Sequence, residues 1–312
     1  MIKSKLNKST YGYIFIAPFV IGFLLFGLYP VLNTLGLSFT NTTMMASKYK
    51  IIWFDNFKQL FIDNMFLKAI ANTWVLWLLN FIPQLGIAML ISVWFTSTRL
   101  KIKGIGVWRA IFYLPNLLMA AVVAALFFSF FSYYGPVNQF LVRGGFIPEA
   151  IDFIRDKTVM RGLVVFIQWW LWFGQTIIIL MAAMTSISVS VYEAALVDGA
   201  NGWQMFRFIT LPLIKPVMIY VLVTSLVGGM QLFDIPYLLT DGRGSPANAI
   251  LTNNILMYMK FRSNQGHLGA ASSIGVMVFI MTSFVALLIF YLLRDKDAVK
   301  SAKKVKGGTE NA

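Results

Sequence analysis

Gln168, Trp172 and Gln175 stand at i, i+4 and i+7, so a helix would carry all three on one face. They belong to the run Gln168-Trp169-Trp170-Leu171-Trp172-Phe173-Gly174-Gln175, three tryptophans and two glutamines around a glycine. Further on, Thr224, Gly228 and Gln231 repeat the helical spacing with Asp234 one step beyond, and Ser225 and Gly229 form a neighbouring strip. The chemistry on offer is neutral hydrogen bonding beside flat aromatic faces. Sugars are held in this way, amides and hydroxyls meeting their OH groups and rings lying against their C–H faces. A deeply placed amide is costly without a partner, which favours a wet cavity over lipid for that face. Plainer readings stay open: the tryptophans as an interfacial aromatic belt, Gly228 and Gly229 as small residues at a helix contact. Asp234 is either part of a site or a partnered charge.

Other chemistries lack their residues. There is no cysteine, and His267 is the only histidine, so thiolate chemistry, disulfides and an HExxH zinc site are excluded. No GxxxxGK[ST] occurs, so no P-loop holds ATP. The long apolar stretches contain one acid between them, too few for paired carboxylates, a hydrolytic triad or a metal cluster. No enzyme, no metal site and no resident cofactor is expected; His267 is read as an interfacial side chain.

These residues need elements that carry them through an apolar medium. Of 312 residues 58% are hydrophobic and 12% charged, half the roughly 25% of soluble domains. Residues 9–47, 69–98, 110–142, 162–192 and 268–293 contain no Asp, Glu, Lys or Arg, and 216–240 is broken only by Asp234. Each exceeds the about 20 residues that cross the hydrocarbon core, and backbone groups in lipid must be satisfied within the segment, so six transmembrane helices are expected. The first run is too long for a signal peptide and is read as a retained span, with Pro18 and Pro30 as kinks. Gly135-Pro136 reads as a turn. The net charge of +14 is assigned to the lipid-facing ends of the spans, with no nucleic-acid partner. Fifteen of the 26 Lys and Arg fall at the N-terminus, residues 99–109, the loop before the fifth span and the tail from Arg294. The positive-inside rule then places both termini in the cytoplasm.

Between the fourth and fifth spans lies the run Glu193 to Pro216. Ser190-Val191-Tyr192-Glu193 fits a capping box, Gly199 is a place for a helix to stop left-handed, Asn201 can cap a second short helix, and Pro212 and Pro216 punctuate its exit. Two short helices joined at a glycine bend are expected.

Glu193-Ala194-Ala195, Asp198-Gly199-Ala200, Phe206, Ile209, Leu211-Pro212 and Pro216 resemble the "EAA" signature of ABC importer permeases, the membrane subunits of prokaryotic binding-protein-dependent uptake systems. Gly228 to Tyr237, Asn72-Thr73 and Arg109 to Pro115 look like the corresponding runs of the maltose/glycerol-3-phosphate-type carbohydrate branch. The resemblance implies an all-α, six-span type I ABC importer permease fold in the cytoplasmic membrane. Residues 1–68 would be the N-terminal end, first span and external loop, 69–293 the permease core with the cytoplasmic EAA loop at about 188–216, and 294–312 a basic tail. It also implies a second homologous permease, two ATP-binding subunits that use the ATP, an extracytoplasmic solute-binding protein and a sugar substrate. Glu193 would then touch an ATPase subunit, cap its own helix, or both. Other solutes with the same architecture, such as glycerol 3-phosphate, and an ion-coupled secondary transporter stand as alternatives. One departure is visible: the family's proline about five residues before the EAA glutamate is replaced by Ser186-Ile187-Ser188-Val189-Ser190, so the fourth span is expected to run further before bending.

Overall fold

The computed structural model describes residues 8–45, 48–97, 100 and 102–293; the basic stretches at 1–7 and 294–312 lie outside the described residues. Among the described residues the regular structure is helical, with two isolated bridges, Thr40–Ile51 and Thr43–His267. Six stretches are long and apolar enough to cross a bilayer: Gly12–Ser38, Asn64–Thr96, Ala120–Arg143, Lys157–Thr185, Lys215–Thr240 and Leu268–Leu293. They fall on the six apolar segments, because a backbone without water must bond to itself.

Three of these spans are interrupted. In the first, a π-helical turn at Phe23–Leu28 precedes Pro30, which has no N–H to donate. The third is not one helix over 110–142. Ile105–Tyr113 ends in a 3-10 turn at Pro115, Ala120–Phe131 follows, and Pro136–Arg143 restarts after the Ser132–Gly135 turn. Twelve residues rise only about 18 Å, so this crossing depends on its flanking pieces. The fifth is helical over Lys215–Met230, breaks at Gln231–Phe233, and resumes as Asp234–Thr240.

The fourth span does not run on in the absence of the proline. It ends at Thr185, where the hydroxyls of Thr185 and Ser186 donate back to the Met181 and Ala183 carbonyls at 2.9 and 2.8 Å. Asn72-Thr73 does not open the second span either; that helix begins two turns earlier, at Asn64.

The described residues divide into two compact units, one from the stretch up to 67 with 256–279 and one from 68–255 with 280–293. In the first, the Asn56 amide donates to the Ser38 and Thr40 carbonyls at 2.9 and 2.8 Å, and the Gly269 and Met44 N–H groups bond the Thr42 and Gly266 carbonyls. Asp63 meets Lys260 at 3.2 Å. Burial pushes the Asp63 carboxyl up, but the Met65 N–H and the Lys260 ammonium outweigh it and hold the group below its ordinary value. In the second unit, one apolar cluster is built around Leu76, Val164, Ile167 and Ile235, and another around Ala88, Ile177, Leu180 and Ile214. The cavity described next opens beside them.

Candidate functional site

All nine residues singled out on the fourth and fifth spans line one cavity of about 400 Å³ in the second unit: Gln168, Trp172, Gln175, Thr224, Ser225, Gly228, Gly229, Gln231 and Asp234. The i, i+4, i+7 face of the fourth helix holds as drawn. Across it, the stripe on the fifth span is a true helical stripe only as far as Gly228. The helix breaks at Gln231, so Gln231 and Asp234 reach the cavity from an unwound turn and from the first turn of the next helix.

Further lining residues escaped the sequence reading: Trp77, Asn80 and Gln84 from the second span, Asn116 from the Pro115 turn, and Thr176. Asn80 and Gln84 stand at i, i+4 in a stretch free of charge, a pattern of the same kind as the one read on the fourth span. Gln84 donates to the Thr176 hydroxyl at 2.8 Å and Asn116 to the Leu171 carbonyl at 3.1 Å. The Asn80 Oδ1 and Gln175 Oε1 oxygens are buried acceptors with no protein partner, both in side chains that line the cavity.

The tryptophans divide between packing and cavity. Trp169 stacks on Phe173 at 4.9 Å and Trp170 meets Phe127 edge-on at 6.0 Å, whereas Trp172 lines the cavity and is 47% exposed. The two glycines divide similarly. A Cβ on Gly229 would run into the Trp77 indole, whose Nε1 donates to the Ser225 hydroxyl at 3.1 Å. Gly229 is thus a close-contact glycine, while nothing lies within 4 Å of a Cβ on Gly228. Asp234 is the only carboxylate of the lining, which includes no Lys, Arg or His. It joins none of the three ion pairs among the described residues.

Between these spans, the first loop helix runs over Val189–Val197. The capping box expected at Ser190 is absent: the N-cap is Ser188, Ser190 lies inside the helix, and the two hydroxyls bond each other at 2.8 Å. The start lies two residues earlier than the pattern places it, at a serine whose third following residue is Val191 and not a glutamate. Glu193 therefore caps nothing and is exposed, as are Ala194 and Asp198; Ala195 is buried and Ala200 half-buried.

Gly199 has φ +77°, and the Ala200 and Gly199 N–H groups close on the Ala195 and Leu196 carbonyls at 2.9 and 3.1 Å. This is the left-handed Schellman ending that a side chain at 199 would strain. Asn201 caps the next helix, Gly202–Met205, in a full capping box with Gln204. That helix does not exit at Pro212. A π-helical turn at Phe206–Thr210 carries it into Leu211–Leu213, and the Leu211 N–H reaches the Phe206 carbonyl. Pro212 has no N–H for the Phe208 carbonyl, and the wider turn sits just ahead of it. The Tyr192 and Thr210 hydroxyls bond at 2.9 Å, tying the first helix to the π turn. Phe206 and Leu211 are half-buried, while Pro212, Val197, Trp203 and Phe208 are exposed, so the knuckle presents an apolar surface.

Broken helices around a polar cavity with a single carboxylate, and a capped double-helix knuckle between two of them, define a solute permease of the membrane. The chain belongs to the family of binding-protein-dependent transport system inner membrane components, which matches residues 64–296. It is a multi-pass membrane protein and a permease subunit of the ABC importer kind. The chain is 31% identical to the lactose transport system permease protein of Rhizobium radiobacter over 286 residues, 91% of this chain and 94% of that one. It is 28% identical to the arabinooligosaccharides transport system permease protein of Bacillus subtilis, covering 90% of this chain and 88% of the other. Its fold matches a chain in the crystal structure of a bacterial alginate ABC transporter in complex with an alginate pentasaccharide-bound periplasmic protein. The TM-score is 0.76 and the identity 25%, over 90% of this chain and 93% of that one.

Proposed function

We propose that this permease moves a sugar, an oligosaccharide of a few units, and that the cavity between its fourth and fifth spans is part of the path. The observation that carries this is the meeting of all nine neutral-polar, aromatic, glycine and single-acid positions on one cavity. Relatives named for lactose and arabinooligosaccharides, and a neighbour that imports alginate, support a carbohydrate. The absence of Lys and Arg from the lining argues against glycerol 3-phosphate, whose phosphate would call for a cationic partner.

The knuckle is the coupling element. Glu193, Ala194, Asp198 and Gly199 stand exposed on it, Phe206, Leu211 and Pro212 shape its second arm, and Ala195 and Ala200 lie beneath. It would face the cytoplasm and seat in a groove of an ATP-binding subunit, as an amphipathic helix does in a groove. Two such subunits, a second homologous permease and an external solute-binding protein complete the importer. ATP is bound and hydrolysed on the partners, and this chain contributes no catalytic group. Closure of the ATP-binding pair would push the knuckle as a rigid arm and turn the fourth and fifth spans, which exposes the cavity to each side in turn.

The test is uptake by the reconstituted transporter, assayed with a panel of neutral oligosaccharides and with glycerol 3-phosphate. Uptake should require ATP and the ATP-binding partner and should prefer the oligosaccharides. Uptake driven by an ion gradient alone, or a preference for the phosphate ester, overturns the reading.

A further inference from the structure

The break in the fifth span frees backbone groups that a membrane helix must satisfy in some other way. Two side chains from about twenty residues downstream do so. The Thr252 hydroxyl donates to the Leu232 carbonyl at 2.7 Å, and the Asn254 amide to the Gln231 carbonyl at 2.9 Å. Thr252 ends the irregular stretch 241–252 and Asn254 lies in the first turn of the helix Asn253–Phe261 that follows it, and the stretch is itself pinned by its carbonyls. Asn72 Nδ2 donates to the Asn248 and Leu251 oxygens at 2.7 and 3.1 Å, and Lys68 Nζ to Ala247 at 2.7 Å. Arg161 makes the remaining links: Nε to the Ala249 carbonyl at 2.9 Å and Nη2 to Asn72 Oδ1 at 2.7 Å. The Thr73 hydroxyl accepts the Asn253 N–H at 3.1 Å.

Arg161 stands out in this set. It sits half-buried in the second turn of the fourth helix, and the hydrogen bonds described for it run to neutral oxygens with no carboxylate among them. A guanidinium placed so is held by geometry, two N–H directions matched to two oxygens on different elements. A lysine would keep the charge but not the fork.

From these contacts we infer that Arg161 is a positioning residue for the cavity wall formed by Gln231 to Asp234. It fixes Asn72 and the 247–251 backbone, these fix Thr252 and Asn254, and those two hold the fifth span open at its break. The inference rests on the cavity being the solute path only for its consequence in transport; the linkage itself is a separate claim about geometry.

The chain has no cysteine, so one introduced cysteine is the only thiol this subunit carries, and its labelling is followed on this subunit. Asp234→Cys probes the wall beyond the break, and Thr224→Cys probes the intact helix before it. Each is made with and without Arg161→Gln in the assembled transporter in membrane vesicles, and the rate of reaction with a small water-soluble thiol reagent is measured. Loss of a charged hydrogen bond should change the rate at Asp234→Cys by about tenfold, while the rate at Thr224→Cys stays the same. Equal changes at both sites, or none at Asp234→Cys, overturn the inference. Thr252→Val, which keeps shape and removes only the last link, should give the same selective change and serves if the arginine variant does not assemble. Whether labelling at Thr224→Cys blocks sugar uptake tests the path reading independently, since the selective rate change is expected in either case.

Discussion

At the scale of single residues, neighbouring glycines do opposite work. Gly229→Ala would press a methyl group into the Trp77 ring, and overpacking of this kind costs about 1–3 kcal/mol. Its thermal unfolding in detergent should shift down clearly. Gly228→Ala meets nothing within 4 Å and should unfold no earlier than the parent, yet its methyl would stand in the cavity lining and lower sugar uptake. A reversed order of the two unfolding temperatures would refute the assignment. The sequence could not separate them, because both satisfy the small-residue pattern and the discriminating side chain lies about 150 positions away. Gln168, Trp172 and Gln175 were legible for the opposite reason: they share one uninterrupted helix, whose periodicity alone sets their common face. Asn80 and Gln84 had the same regularity, with Trp77 three residues before Asn80, and were legible in the same way.

Among the elements, the knuckle shows which local signals are decisive. Gly199 and Asn201 act through backbone geometry within two or three residues, so their roles could be read directly. The Ser-x-x-Glu pattern pointed to Ser190 alone, yet the helix starts two residues earlier at Ser188, so that local signal misled. Gly199→Val should insert and fold its spans but lose uptake and the coupling of ATP hydrolysis to it, because a β-branched residue resists φ near +77°. Gly199→Asn, which tolerates the left-handed region, should keep most of the activity. Normal transport by the valine variant would show that the bend is not required. Tyr192→Phe removes the hydroxyl link to Thr210 and should weaken coupling several-fold without altering membrane insertion, the net worth of one hydrogen bond being about 1 kcal/mol. Comparing ATPase activity with and without the solute-binding protein would detect it. The break at Gln231–Phe233 had one local signal, Pro236, which has no N–H for the Leu232 carbonyl; the groups that stabilise the break come from Thr252 and Asn254 and were not legible.

For the whole molecule, six spans followed from composition, since lipid permits few alternatives. What composition could not supply were the interruptions, which depend on contacts between distant segments. One long-range contact predicts a pH response. Because the native Asp63 carboxyl is held below its ordinary value, its contribution to stability is complete above the unfolded-state value of about 3.9 and is lost as pH falls through the lower native one. Unfolding temperature should therefore drop across that acidic window, and Asp63→Asn should flatten the drop while leaving neutral-pH membrane insertion intact. An identical acid profile for both proteins would remove Asp63 from the account.

The π turn at Phe206–Thr210 has a mechanical corollary. It inserts one residue beyond what a regular helix needs, and each residue of an α-helix turns the chain by about 100°. Deleting a single residue there would restore an ordinary winding and leave the spans unchanged. Because the wide turn takes up the extra residue locally, the arm that carries Trp203 would keep nearly its present bearing after the deletion, whereas a regular winding with all residues kept would swing that arm round by about 100°.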